Sequence, residues 1–178
     1  MNRRVFSKEQ LENFDVWQFC KNNEIISCQV ALTDTRELSK FASQDGVLSI
    51  ELASQKNENF FAGQELFEIN FQINTVLDLQ CQRCLENLAW RYEEEFSLPL
   101  FRSEKQAENA PETVEDFLVC EQAEKIDLLW FIEEEILLAM PMIAKHENCS
   151  LPQTFGKEKN NLAEEKENPF AALKQLLK

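Results

Sequence analysis

Two short pairs of residues in this chain have the types and the spacing that bind metals. Cys81 and Cys84 form a Cys-x-x-Cys pair, and His146 and Cys149 form a second pair with the same spacing. Thiolate and imidazole groups are preferred zinc ligands, and two such pairs would complete a tetrahedral site for one zinc ion. The pairs are about sixty residues apart, so the fold would have to bring them together. The residues equally allow two free, partly buried thiols and a surface histidine.

The same residues offer two other chemistries. A Cys-x-x-Cys pair can cycle between dithiol and disulfide, but the thioredoxin-like motif opens a helix, whereas here the pair joins two predicted strands. Cys81 or Cys84 could act as a nucleophile with His146 as its base, but zinc would compete for the same atoms. The chain has one histidine, three glycines and no phosphate-binding loop or nucleophile motif. We therefore predict that the protein is not an enzyme and has no small-molecule substrate.

The first pair lies at the turn of a long β-hairpin predicted over residues 66–100. Apolar residues occupy odd positions before the cysteines and even positions after them, which is the period-2 pattern of half-buried strands. Antiparallel pairing would place both apolar faces on one side of a sheet. We expect Phe71 and Trp90 in the core on that side.

The whole pattern predicts an α+β fold, in which an antiparallel β-sheet with this long central hairpin is packed by one main helix and short terminal helices. The main helix is expected over residues 127–140, with Asp127 as its N-cap and Pro141 ending it. The three glutamates at 133–135 are interpreted as a solvated helix face.

The sequence also predicts the secondary structure of several shorter segments. Alternating apolar residues predict strands at 28–32 and 47–52, and a short strand is expected within 114–119. Asp34 and Glu37 resemble a capping box and predict a helix over residues 34–43. Residues 55–63 are predicted to form a polar loop.

Two parts are expected along the chain. Residues 1–150 are predicted to form a single α+β domain, and residues 151–178 a polar linker followed by a short C-terminal amphipathic helix. Asn168 and Pro169 suit an N-cap and a first helical position. One side of this helix would carry Phe170, Leu173, Leu176 and Leu177. A helix this short is marginal alone, so it either docks on the body or waits for a partner.

Composition limits the classes of partner. The 178 residues carry a net charge of −14, which argues against a protein that coats nucleic acid by charge alone and favours a basic partner. No apolar run approaches the ~18 residues of a membrane helix, and the start lacks the apolar stretch of a signal peptide, so we expect a cytoplasmic protein without membrane contact. Cys20, Cys28 and Cys120 are interpreted as small, reduced core residues.

Three stretches together resemble the YceD family, the large ribosomal RNA subunit accumulation proteins. They are LQCQRC at 79–84, IDLL at 126–129 running through EEEILLAMP at 133–141, and NPFAAL at 168–173. The resemblance implies a non-catalytic ribosome-assembly factor needed for the synthesis, processing or stability of large-subunit (23S) ribosomal RNA. Family members often carry Cys or His residues just after the proline corresponding to Pro141, where this chain has His146 and Cys149 but not the longer cysteine series of some members.

Two partner hypotheses follow. In the first, the hairpin tip binds large-subunit ribosomal RNA or an early ribosomal protein, and Arg83 and Arg91 contact phosphate. In the second, the acidic body holds a basic ribosomal protein without touching RNA, and Phe170 and Leu173 belong to a docking helix.

Overall fold

The structure is a computed structural model that describes residues 3–61, 64–110, 114, 116–121 and 124–152, with the backbone alone at 57–61 and 64–65. Its helices and strands confirm the predicted α+β class. In chain order they are β1 (Arg3–Val5), α1 (Lys8–Glu12), α2 (Val16–Asn22), β2 (Ile25–Ala31), two 3-10 helices (Leu32–Asp34 and Leu38–Phe41), β3 (Val47–Phe61), β4 (Gln64–Gln80), β5 (Asn87–Phe101), α3 (Glu104–Ala107), β6 (Leu118–Val119) and α4 (Leu128–Ala139).

The six strands form one mixed sheet in the order β1-β2-β3-β4-β5-β6. Strands β2 to β5 pair antiparallel, whereas β1 is parallel to β2 and β6 is parallel to β5. The prediction of an antiparallel sheet is therefore wrong at both edges. Parallel neighbours need a crossover connection. Helices α1 and α2 lie in the connection between β1 and β2, and α3 lies in the connection between β5 and β6.

Strands β4 and β5 form the predicted central hairpin. Their register runs from Phe67 opposite Leu100 to Gln80 opposite Asn87, so the chain reverses at the two cysteines. The odd-numbered apolar residues of β4 face the core, and Phe71 is fully buried there. Its ring stacks on Phe96 at a centroid distance of 4.9 Å. Trp90 packs against this core but is only half-buried, at its margin.

Helix α4 covers the apolar side of the sheet, as the sequence predicts. The Asp127 carboxylate accepts a hydrogen bond from the backbone N–H of Trp130 at 3.0 Å and so caps the helix. The helix ends at Ala139, just before Pro141. Its buried apolar residues are Leu128, Leu129, Ile132 and Ile136.

Glu133 is fully buried, so the interpretation of 133–135 as a solvated face is wrong at this residue. Its carboxylate accepts hydrogen bonds from the backbone N–H groups of Arg36 (3.1 Å), Glu37 (2.8 Å) and Leu38 (3.4 Å). These groups lie at the start of the second 3-10 helix, where the first N–H groups have no partner within the helix. The carboxylate therefore fixes this segment against α4.

Two of the other local predictions are wrong. The helix predicted over residues 34–43 is replaced by the two short 3-10 helices. Strand β3 continues to Phe61 through the predicted polar loop at 55–63, because its backbone pairs with β4. Its polar side chains are accommodated by cross-strand bonds such as Gln55 Nε2 to Glu68 Oε2 at 2.8 Å. The short strand expected within 114–119 is β6.

The remaining cysteines are core residues, as predicted. Cys20, Cys28 and Cys120 are each at most 3% exposed, and burial raises the pKa of the Cys20 thiol to about 12. The backbone carbonyl of Cys120 accepts a buried hydrogen bond from Trp17 Nε1 at 2.8 Å, which ties β6 to α2. The predicted linker beyond Pro152 and the C-terminal helix lie outside the described residues.

Candidate metal centre

The hairpin tip is a tight turn between β4 and β5. The backbone N–H of Cys81 donates to the Glu86 carbonyl at 2.9 Å, and the N–H of Leu85 donates to the Cys81 carbonyl at 2.8 Å. Leu85 has a φ of 65°, a left-handed conformation that is uncommon for a residue with a side chain. This turn brings the Cys81 and Cys84 thiols to the same side of the tip.

The segment after α4 packs against this turn. The helix ends before Pro141, where the backbone of Met140 is extended, and the chain then bends at residues 142–143 and runs to the tip. The backbone N–H of Gln82 donates to the Ala144 carbonyl at 2.8 Å. The Gln82 side-chain amide donates to the Met142 carbonyl at 3.1 Å. These two bonds place residues 146–149 beside the Cys-x-x-Cys turn.

The four predicted ligands meet at this point. One ligand atom from each of Cys81, Cys84, His146 and Cys149 lies within 4.8 Å of all the others. The sulfur atoms of Cys81 and Cys149 are 3.7 Å apart. The Cys84 sulfur is 3.3 Å from His146 Nδ1. Cys81 is fully buried, and the other three side chains are half-buried.

These distances fit a tetrahedral metal site. With a metal–sulfur distance of about 2.3 Å, two sulfur ligands of a regular zinc tetrahedron lie about 3.8 Å apart, and a sulfur–nitrogen edge is about 3.5 Å. Three thiols and one imidazole also form a donor set typical of structural zinc. The residues present therefore fit a zinc ion.

Groups around the ligands orient them further. His146 Nε2 lies 3.1 Å from the Asn87 carbonyl, which can only accept, so Nε2 carries the proton and Nδ1 is left to bind a metal. The backbone N–H of His146 donates to the Cys81 sulfur at 3.4 Å. The site is thus built by backbone and side chains of both segments.

Arg83, between the two cysteines of the turn, closes the site on one side. Its Nε donates to the Cys149 sulfur at 2.9 Å. Its Nη2 donates to the backbone carbonyls of His146 and Glu147. Three thiolates bound to a divalent cation would carry one net negative charge, which the guanidinium beside them would balance. The sequence singled out Arg83 as a phosphate contact, whereas the structure places its guanidinium on the second ligand segment.

The Cys81 thiol has a strongly shifted pKa. Burial raises it, but hydrogen bonds from the backbone N–H groups of Cys84, His146 and Arg83 and from the Cys84 side chain outweigh burial and lower the pKa to about 5. The thiolate is the form that binds metals. The surroundings therefore favour the metal-binding form of Cys81 at neutral pH.

The neighbouring Cys84 shifts the other way. A hydrogen bond with the Glu86 backbone lowers its pKa, but desolvation and the nearby Cys81 and Cys149 sulfurs raise it by more. Close thiolates repel one another, and a divalent cation between them removes this repulsion.

The other predicted site residues lie elsewhere. Arg91 is on β5 with its side chain 68% exposed, and its Nη1 is 4.0 Å from a Glu93 carboxylate oxygen. Phe170 and Leu173 are outside the described residues. The sequence analysis missed Asn87 and Gln82, since their roles depend on backbone and amide contacts with a segment sixty residues away.

Within the described ranges, no helix has the length and apolarity needed to cross a membrane.

Comparisons with known proteins agree with the resemblance seen in the sequence. Residues 69–177 match the family model described as large ribosomal RNA subunit accumulation protein YceD. A Haemophilus influenzae protein named large ribosomal RNA subunit accumulation protein YceD is 33% identical over 138 residues, covering 74% of this chain and 78% of its own length. No solved structure matches. The region matched by the family model contains most of β4, all of β5, α4 and all four clustered ligands, and the chain belongs to the YceD family.

Proposed function

We propose that this protein is a non-catalytic ribosome-assembly factor that supports the synthesis, processing or stability of large-subunit ribosomal RNA. Family membership supports this role, because the relative from Haemophilus influenzae is named for the accumulation of that RNA. The role would require the protein to be where ribosomes assemble, in the cytoplasm.

We further propose that the Cys–His cluster binds one structural zinc ion. The observation that carries this proposal is the convergence of four ligand atoms within 4.8 Å from two segments far apart in the chain. Four protein ligands complete a tetrahedron and leave no position for a substrate, which is typical of structural rather than catalytic zinc. Zinc bound there would crosslink the hairpin tip to residues 146–149.

The contact with ribosomal RNA or an early ribosomal protein is proposed at this crosslinked tip. Loops positioned by a rigid scaffold often carry binding residues. Lys145 is exposed beside the cluster, and Arg91 is exposed further along β5. These cations are available to phosphate, whereas the guanidinium of Arg83 contacts Cys149 and two carbonyls.

Zinc content tests the metal proposal. We expect one zinc per chain by elemental analysis of the purified, reduced protein, and none in a Cys81→Ser, Cys84→Ser double variant. A Cys20→Ala, Cys28→Ala variant is the matched control, since it removes two buried thiols away from the cluster. It should keep its zinc. Absence of metal from the folded native protein supplied with zinc would overturn the proposal.

RNA binding is tested by titrating fragments of large-subunit ribosomal RNA into the protein at several salt concentrations. Direct phosphate contact predicts affinity that falls as salt rises. We expect such binding, and we expect it to weaken in the Cys81→Ser, Cys84→Ser variant because the tip loses its crosslink. A protein that binds no RNA under any of these conditions would contradict direct contact with ribosomal RNA.

The second candidate function is an acidic module that holds a basic ribosomal protein without touching RNA. The face of the sheet opposite the core favours it, and we call this the outer face. Strand register places eight polar side chains there in two rows, Gln29–Ser49–Asn74–Glu93 and Ser27–Glu51–Gln72–Glu95. Each residue of the rows is exposed or half-exposed. Three of the eight, Glu51, Glu93 and Glu95, are acidic, and such a surface is complementary to a basic segment.

Removing negative charge from the outer face tests whether a basic ribosomal protein binds there. A Glu93→Gln, Glu95→Gln variant should bind basic large-subunit ribosomal proteins more weakly than the native chain. A Glu134→Gln, Glu147→Gln variant is the control, because it removes the same charge from exposed positions off the outer face. Equal binding by all three proteins would exclude the outer face as the docking site.

A further inference from the structure

Exposed apolar side chains are concentrated beside the Cys–His cluster. Leu138, Met142, Ile143 and Leu151 are 81%, 95%, 64% and 65% exposed, and Leu85 at the hairpin tip is 46% exposed. We call these five residues the apolar tip surface. Val5, Val47, Val76 and Phe117 are exposed on other elements, so the tip holds five of the nine exposed large apolar side chains among the described residues.

Backbone and amide bonds of the tip hold residues 142–144 against the turn that contains Leu85, and Leu138 lies on the last turn of α4, which leads into this segment. The Met142 carbonyl accepts a hydrogen bond from the Gln82 side chain. The carbonyl of Ala144, the residue after Ile143, accepts one from the Gln82 backbone N–H. Leu151 follows Cys149 by two residues, so its Cα lies within about 8 Å of the Cys149 Cα. Several exposed apolar side chains in neighbouring segments are typical of a place where another segment packs.

The chain itself supplies a segment of the right chemistry. It leaves the apolar tip surface at Pro152 and continues to residues 168–178, where an N-cap and a proline precede an amphipathic pattern. An 11-residue helix is marginal in isolation and needs an apolar surface to pack against. Docking on the tip would bury the apolar side of this helix and the apolar tip surface together.

The length of the intervening chain allows this docking. Residues 153–167 separate Pro152 from Asn168. Fully extended they would span at most about 50 Å, and as a flexible chain about 20 Å on average. Such a tether also keeps the segment at a high effective concentration near the tip.

Charge favours the same arrangement. Residues 168–178 contain Lys174 and Lys178 and no acidic residue. Near the ligands, Glu86 and Glu147 are exposed, as is Lys145, and Arg83 is half-buried. The lysines of the segment would therefore have two exposed carboxylates within reach at the tip.

We propose that residues 168–178 pack in cis, as an amphipathic helix, on the apolar tip surface. Phe170, Leu173 and Leu177 would cover Met142 and its apolar neighbours. This inference concerns the chain alone, and its test uses neither RNA nor a protein partner.

Methyl NMR of the full-length protein tests the proposal. The chain has only three methionines, so the Met142 methyl signal can be assigned by comparison with a Met142→Leu variant. We expect a soluble paramagnetic agent to broaden this signal weakly in the native chain and strongly in a Leu173→Asp variant. Gln175→Asp is the matched control, because it adds the same charge on the opposite side of the predicted helix and should leave Met142 protected.

The comparison is made at fixed zinc content and without RNA, so its result does not depend on the proposed function. Equal and strong broadening of Met142 in the native, Leu173→Asp and Gln175→Asp proteins would overturn docking in cis. Protection that disappears on dilution would instead identify a second copy of the chain as the occupant, and would equally overturn the proposal.

Discussion

The two ends of the β4–β5 hairpin are held by different forces. In the body, apolar residues of β4 such as Phe71 and Ile73 are fully buried against α4 and neighbouring strands. At the tip, Gln82 and Arg83 donate hydrogen bonds to the segment that carries His146 and Cys149. The body depends on the area of apolar surface that it buries, whereas the tip depends on directional polar contacts. A substitution in the body should therefore destabilise the whole fold, whereas a substitution at the tip should affect only the contacts around the Cys–His cluster.

The largest effect on stability should come from the body. Replacing Phe71 by Ala removes a fully buried ring that stacks on Phe96 and contacts Phe131. We expect the free energy of unfolding to fall by about 3–5 kcal/mol. Urea denaturation followed by circular dichroism measures this change.

The control for this change is Gln72→Ala, which alters an exposed residue of the same strand. It should change stability by no more than about 0.5 kcal/mol. Similar losses in the two variants would mean that stability does not follow the two faces of β4.

The body also contains one buried polar contact, and removing the Glu133 carboxylate tests how much it contributes to stability. Glu133→Ala leaves the backbone N–H groups of residues 36–38 without their carboxylate acceptor. We expect a loss of about 2–3 kcal/mol, because buried donors then lack partners. The exposed neighbour Glu134→Ala should be nearly neutral. Hydrogen exchange would locate the Glu133→Ala effect, which we expect first in residues 32–41.

The body was largely predictable from the sequence because a repeating pattern encodes it. Alternation along β4 and β5 predicted the hairpin, its turn and the burial of Phe71. An N-cap and a proline predicted both ends of α4. The strand β1 and the parallel pairing of both edge strands were not predicted, because β1 and β6 have only three and two residues, too few for a pattern that indicates their pairing. Glu133 was missed because its burial depends on donors contributed by a distant segment.

At the tip, the sequence predicted only which residues could bind a metal. Cysteine and histidine spacing predicted which four residues could share a metal, and the structure brings those four together. The supporting contacts could not be read from the sequence, because they join side chains to backbone carbonyls across sixty residues. Arg83 illustrates this limit, since its contacts with the Cys149 sulfur and two carbonyls could not be read from its residue type.

A smaller effect, confined to the tip, is expected from Arg83→Ala. The variant loses the hydrogen bond to Cys149 and those to the carbonyls of His146 and Glu147. Groups that orient metal ligands usually contribute a factor of about 10–100 to metal affinity, and we expect zinc affinity to fall by that amount. Competition with a zinc chelator measures it. A loss of body stability as large as that of Phe71→Ala would contradict the separation of the two regions.

The smallest effect on stability and zinc affinity should come from Arg91→Ala. Its side chain is 68% exposed, and its nearest carboxylate oxygen, on the exposed Glu93, is 4.0 Å away, a pair worth at most about 1 kcal/mol. We expect unchanged zinc affinity and near-native unfolding in urea. If Arg91 contacts phosphate, however, the salt dependence of RNA binding should lose about one unit of slope. Arg83→Ala and Arg91→Ala therefore form an opposed pair, since one should weaken the metal site and the other only an RNA contact. A large loss of zinc affinity in Arg91→Ala would mean that the tip and the body are coupled through β5.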